Sequence, residues 1–326
     1  MRIVLFGTGP FAVPSFEALI DSSHEVAALV TRPIANSGKR RKTAENPTRD
    51  LGVDRDLAIL DPPNVNEQDV VDQLVALKAD LFVVCDYGQI LSRDALAAAK
   101  LGGINLHGSL LPKYRGAAPI HWAIYNGDQE TGVTIIHMTP RLDGGPCLRS
   151  AATPIEPTET TESIEPRLAQ LGVQCVMDSI AMLEQWDGQS PIGEIQDQKL
   201  ATKAPRLKRT DGIIDFKRSA ADIVNQIRAF QPWPGTFTSW TPEGKSELRL
   251  IIHQATVVTD QTEKESLTPG EVIVSDKQNL IVQTGAGQLS LLRVQPAGKK
   301  PMPVADYLRG NPPTAGQMLG DRDRPA

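Results

Sequence analysis

Cysteine is scarce in this chain of 326 residues: there are three, and no two are close in sequence. Cys85 ends an apolar run, Cys147 follows a glycine-rich turn, and Cys175 falls in a helical pattern. That spacing excludes a disulfide framework and a structural zinc site. No metal is expected. No apolar stretch approaches the roughly 20 residues that span a bilayer. MRIVLFGTG enters a strand pattern directly, with no charged leader and no small-residue cleavage site. A cytoplasmic protein without a membrane partner is the expectation. Nor is there a basic excess, since the net charge is −5. The distribution says more than the sum. Lys39, Arg40, Arg41 and Lys42 form one basic cluster, Lys208 and Arg209 belong to a second, and Lys299 and Lys300 make a third. Such clusters, placed in loops, suit a polyanionic partner.

What is present suffices for two cores: hydrophobic residues make up 40% and charged residues 22%. The first half alternates strand and helix patterns. RIVLF, a helix from Pro14, EVAALVT, LFVVC and GINLH describe an α/β domain with an open parallel sheet. Residues 188–209 are polar with Gly and Pro, and read as a linker between domains at 1–187 and 210–326. Beyond the linker, one helix precedes short alternating strands, LRLIIHQATVV, GEVIV, NLIVQT and LSLLRVQ, the pattern of a small β-barrel.

Two segments compete for the chemistry. Gly7-Thr8-Gly9-Pro10-Phe11-Ala12 matches the dinucleotide turn G-x-G-x-x-A after a first strand. An NADP-dependent oxidoreductase would use it, with Arg32 at a 2′-phosphate. Pro10 and Pro14 stiffen the turn, however, and no carboxylate ends the second strand. A tight strand-to-helix turn is the preferred reading. The second segment is Asn105-Leu106-His107-Gly108-Ser109-Leu110-Leu111-Pro112. Alternate residues of a strand point the same way, so Asn105 and His107 project together at a strand's C-terminal end. Asp143, in the turn after the next strand, is expected at the corresponding end, where the three can converge. His24, His121, His137 and His253 are given no role.

INLHGSLLPKYRGAAPIHWAIYNGDQETGVTIIHM followed by LDGG closely resembles the core of the formyltransferases that use 10-formyltetrahydrofolate. QPWPG and QPAGKKPM resemble the branch whose acceptor is methionyl-tRNA. The resemblance runs from RIVLFGTG to DYLRG. It implies a Rossmann-like catalytic domain followed by an OB-like barrel that binds tRNA. It also implies formyl transfer to initiator methionyl-tRNA, for translation initiation, by a monomer. Asn105, His107 and Asp143 would be catalytic: Asn105 would stabilise the tetrahedral oxygen, and His107 paired with Asp143 would move the proton. Ser109, Leu110, Leu111 and Pro112 would bind folate, with Tyr87, Gly88, Gln89 and Ile90 as a second wall. Lys39, Arg40, Arg41, Lys42, Lys208, Arg209, Lys299 and Lys300 would contact tRNA. Three departures from the family pattern stand out: Asp86 replaces a small residue, Arg141 a frequent Gly, and Pro146 follows the turn where a second Asp is usual. Arg141 keeps a sugar-nucleotide acceptor as an alternative. A binding module without catalysis is the third.

Overall fold

The computed structural model describes residues 1–34, 45–242, 246–259, 267–310 and 312–320. The chain divides into two compact units. The first comprises 1–120, 130–154 and 163–206, the second 121–129, 155–162 and 207–326.

The first unit is built on β1 (Arg2–Gly7), α1 (Val13–Ile20), β2 (Glu25–Val30), α2 (Pro47–Asp54), β3 (Ile59–Leu60), α3 (Gln68–Ala76), β4 (Leu81–Cys85), α4 (Arg93–Ala97) and β5 (Gly103–His107). β6 (Arg115–Gly116) leads through α5 (Pro119–Tyr125), most of which belongs to the second unit, to β7 (Glu130–His137), β8 (Cys147–Pro154), α6 (Thr161–Glu184) and β9 (Lys203–Ala204). Seven strands pair in the order β3-β2-β1-β4-β5-β7-β8. All five residues of β4 are buried, as a strand covered on both faces requires. The sheet is parallel as far as β5, and then reverses: β7 pairs antiparallel with β5, and β8 antiparallel with β7. The open parallel sheet expected is thus found, mostly parallel, with β7 and β8 as its antiparallel exceptions. β8 was not foreseen, because an edge strand that is largely exposed carries no apolar run.

The G-x-G turn owes its glycines to the protein's own packing. A Cβ on Gly7 would lie 2.6 Å from the Phe16 ring of α1, and one on Gly9 would lie 1.8 Å from the Asp86 carboxylate. Packing against the chain's own side chains thus accounts for both glycines without a bound pyrophosphate.

The second unit carries α7 (Ala220–Ala229), capped by the Ser219 hydroxyl, which accepts from Asp222 N–H at 3.1 Å. Its strands are β10 (Thr236–Trp240), β11 (Leu248–Val257), β12 (Val272–Ser275), β13 (Leu280–Gln283), β14 (Gln288–Pro296) and β15 (Met302–Pro303), which runs into α8 (Val304–Tyr307). The antiparallel order is β10-β11-β14-β13-β12, with β15 on β14. Residues 316–320 bridge the gap between the two ends. Gly316 N–H donates to Val272 O and Leu319 N–H to Gly270 O, both at 2.8 Å, while Gly320 N–H reaches Ser239 O at 2.7 Å. The sheet is thereby closed into the small barrel anticipated. Ile223 and Ile227 of α7 pack on Trp240, Leu250, Val272 and Leu291 inside it.

The segment read as a linker belongs to the first unit as far as Arg206. Glu194 exchanges backbone hydrogen bonds with Cys147 at 2.8 Å, and β9 pairs with β6.

Candidate active site

The first unit brings His107 and Asp143 together. His107 ends β5 and is buried. Its Nε2 lies 2.9 Å from the Tyr114 carbonyl. A carbonyl only accepts, so Nε2 carries the proton and Nδ1 presents a lone pair when the ring is neutral. That Nδ1 lies 3.8 Å from Asp143 Oδ2. The carboxylate is held from behind by the Gly116 N–H, which donates to Oδ2 at 2.8 Å. Asn105 lies two residues before His107 on the same face of β5 and is half-buried. Among the described residues its carboxamide has no hydrogen-bond partner, so both its N–H donors are free for a ligand.

Asp143 reaches His107 by a path that strand order alone did not reveal. Because β7 is antiparallel to β5, with His137 opposite Ile104, the chain leaves β7 beside the beginning of β5, not its end. The 138–146 loop must fold back along the sheet to bring Asp143 up to His107. Gly145 permits it: a Cβ there would lie 1.9 Å from the His137 carbonyl. Asp143 itself sits at φ 48° and Tyr114 at φ 64°, left-handed conformations that residues other than glycine adopt at a cost.

The 109–113 turn is locked to β7. Ser109 Oγ donates to Lys113 O at 2.7 Å, Thr134 Oγ1 donates to Ser109 O at 2.7 Å, and Leu111 N–H donates to Thr134 Oγ1 at 3.1 Å. Leu110 packs over Gly132 of β7, where a Cβ would come within 2.5 Å of its Cδ2. Leu110, Leu111 and Pro112 remain half-exposed, while Ser109 is fully buried.

The 87–90 segment divides into bracing and exposed residues. Tyr87 belongs to the core, edge-on to Phe6, with its hydroxyl buried and unpartnered. Burial pushes that hydroxyl up to about 12, and Arg32 opposes the shift. Gln89 is spent on Val65 N–H and the Pro62 carbonyl. Gly88 and Ile90 reach solvent. Arg32, a candidate for a 2′-phosphate, donates instead to the Gly88 carbonyl at 2.6 Å. The Asp86 side chain reaches solvent on one side. Protein on the other raises its pKa, against the pull of Arg32.

Lys39, Arg40, Arg41 and Lys42 lie outside the described residues. Lys208, Arg209, Lys299 and Lys300 are exposed in the second unit and form no ion pair among the described residues. Cys147 is half-buried, and burial followed by Glu194 raises its thiol, against Arg115. It is therefore no ready nucleophile. Among the described residues there is no group of three His, Cys, Asp or Glu able to hold a metal, and no helix long and apolar enough to cross a membrane.

Sequence reasoning missed three residues that shape the site. Arg115 stood within the KYRGAAP run but was given no role. Thr134 looked like ordinary β-strand filling. Gln196 lay in the presumed linker and gave no signal.

Comparisons with known proteins agree with this architecture. Residues 1–180 match the formyl transferase family, and residues 206–312 match the formyl transferase C-terminal domain. The methionyl-tRNA formyltransferase of Rhodopirellula baltica is 44% identical over 327 residues, covering 98% of this chain and 96% of that protein. That of Koribacter versatilis is 40% identical over 322 residues, covering 98% and 99%. Among solved structures, a sugar 3N-formyl transferase, WlaRD, determined with dTDP and 5-N-formyl-THF, shares the fold at TM-score 0.63 and 18% identity. The match covers 92% of this chain and 99% of that one. HypX from Aquifex aeolicus in complex with tetrahydrofolic acid aligns at TM-score 0.58 and 18% identity, over 94% of this chain and 47% of that one. By sequence over nearly its whole length, the chain belongs to the formyltransferase family, and within it to the methionyl-tRNA formyltransferases.

Proposed function

We propose that the chain transfers the formyl group of 10-formyltetrahydrofolate to the α-amino group of initiator methionyl-tRNA. The observation that carries the reading is one short stretch of strand with a free carboxamide, Asn105, and an imidazole, His107, whose acceptor nitrogen faces Asp143. The relatives named methionyl-tRNA formyltransferase, aligned over nearly the whole chain, support the acceptor.

The chemistry follows from the charges. A neutral amine attacks the formyl carbon, and a C–N bond forms as the carbonyl oxygen becomes anionic. The Asn105 amide donates to that oxygen, an interaction strongest in the transition state. The nitrogen, now cationic, loses a proton to His107 Nδ1, where Asp143 shares it. The bond from the formyl carbon to the folate nitrogen then breaks, and the same proton passes to that nitrogen. No covalent enzyme intermediate is needed. The Ser109–Pro112 turn, rigidly tied to Thr134, offers backbone groups and the half-exposed Leu110 and Leu111 to a pterin. Gly88 and Ile90 form the solvent-facing part of a second wall, which Tyr87 and Gln89 brace. Lys208, Arg209, Lys299 and Lys300 supply phosphate contacts, as do Lys39, Arg40, Arg41 and Lys42. The enzyme acts as a monomer in the cytoplasm.

The test is formyl transfer from 10-formyltetrahydrofolate, with methionyl-initiator-tRNA and a nucleotide-linked amino sugar offered in parallel. Product on the tRNA alone is expected. Product on the sugar alone would retain the chemistry and overturn the acceptor. Product on neither would overturn both.

A further inference from the structure

Between Glu194 and Leu200, Gln196 is the one buried residue, and its sequence neighbour Ile195 is 85% exposed. Every hydrogen-bonding direction of its carboxamide is used. Nε2 donates one proton to the Asp143 carbonyl at 2.8 Å and the other to the Gly145 carbonyl at 2.7 Å. Oε1 accepts from Arg115 twice, from Nε at 3.0 Å and from Nη2 at 2.5 Å. The remaining guanidinium branch, Nη1, donates to Gln198 Oε1 at 2.9 Å. Arg115 is itself fixed by its backbone, which bonds the Thr202 carbonyl at 2.9 Å and pairs with Lys203 in β9. Its neighbour Gly116 supplies the N–H on the Asp143 carboxylate. Asp143 is therefore gripped twice, at its carboxylate by β6 and at its carbonyl by Gln196. The loop that carries it has an unfavourable φ to maintain and must run back along the sheet.

We propose that Gln196, held by Arg115, is a positioning residue that fixes Asp143 against His107. The proposal rests on the catalytic reading of Asp143 given above. A carboxamide fits the task because it donates two protons to carbonyls and accepts from a guanidinium at once. A carboxylate in its place would keep the Arg115 pair and lose both donors. A shift of the carboxylate by an ångström or so is enough to slow a proton transfer markedly.

The test is a double-mutant cycle on kcat, using Gln196→Glu and Asp143→Asn singly and together, with folding checked by circular dichroism. Asp143→Asn is expected to lower kcat by about 10²-fold. Gln196→Glu is expected to lower it roughly tenfold, with KM for donor and tRNA within about twofold. In the Asp143→Asn background the Gln196→Glu loss should shrink to under about twofold, because a residue acting through Asp143 has nothing left to position. Equal losses in both backgrounds, or none in either, would overturn the proposal. If Asp143→Asn is slow and the cycle additive, only the positioning role fails. An Asp143→Asn enzyme with full kcat would instead sink the catalytic reading and this proposal with it. Arg115→Lys, which cannot make the two-pronged bond to Oε1, should show the same non-additivity and decides the matter if Gln196→Glu does not fold.

Discussion

At the scale of single residues, the site combines parts that the sequence announces with parts it conceals. Asn105 and His107 are legible because a strand alternates: two polar residues two apart, at the end of an apolar run, must share a face. Asn105 is also the residue whose role is most exposed to test. Its amide has no described protein partner, so removing it strands nothing in the fold. Asn105→Ala should therefore leave stability and tRNA affinity nearly unchanged while lowering kcat by about 10²-fold or more. A comparable loss of tRNA binding in a filter assay would contradict the assignment. Tyr87 shows the opposite case: its place in a family stretch is legible, but not that its hydroxyl is buried in the core. His121 makes a separate, pH-dependent prediction. Burial depresses it from 6.5 to about 4. Between those values the unfolded chain binds a proton that the folded chain refuses, so stability is full above the window and falls as pH drops through it. The loss can reach about 3 kcal/mol at 1.4 per pKa unit. Thermal midpoints measured from pH 7 to 4.5 should fall less steeply in His121→Gln than in the parent, and parallel curves would refute the assignment.

At the scale of elements, the instructive case is the reversal at β7. Apolar alternation in GVTIIHM predicts a strand, but carries no information on its direction. Connection length does not reveal it either, because the path from β5 through α5 is long enough for a parallel crossover, yet β7 runs back beside β5. The consequence is the return loop that carries Asp143. β8 was invisible for a related reason: it lies at the sheet edge with most side chains in solvent, so it needs no hydrophobic pattern. The return loop depends on Gly145, whose Cα faces the His137 carbonyl too closely for any side chain. Gly145→Ala should push the loop off the sheet and lower kcat by roughly tenfold or more, with tRNA affinity kept. Unchanged kcat in a steady-state assay would show that the loop tolerates the displacement, and that Asp143 is not held by this path.

At the scale of the whole molecule, the proposed reading assigns chemistry to the first of the two units and acceptor binding to the second. The division itself is readable, because strand–helix alternation gives way to short alternating strands with glycine turns. Its boundary is not, since residues 188–206 are polar enough to resemble a linker while hydrogen-bonding into the first unit. Net charge likewise misleads: −5 overall coexists with exposed cations that form no ion pair among the described residues. Lys208, Arg209, Lys299 and Lys300 can neutralise phosphates without first breaking an ion pair, so their contribution should appear as counterion release. Replacing all four with alanine should weaken tRNA binding at low salt and reduce the slope of log Kd against log salt by up to about 4 × 0.7 to 0.9 units. kcat with saturating tRNA should stay within about twofold, because the replaced charges lie outside the unit that holds Asn105, His107 and Asp143. An unchanged salt slope would move the phosphate-binding surface away from these four residues. A lost kcat at saturation would mean that the second unit takes part in the chemistry, and the separation of roles argued from its unpaired cations would fall.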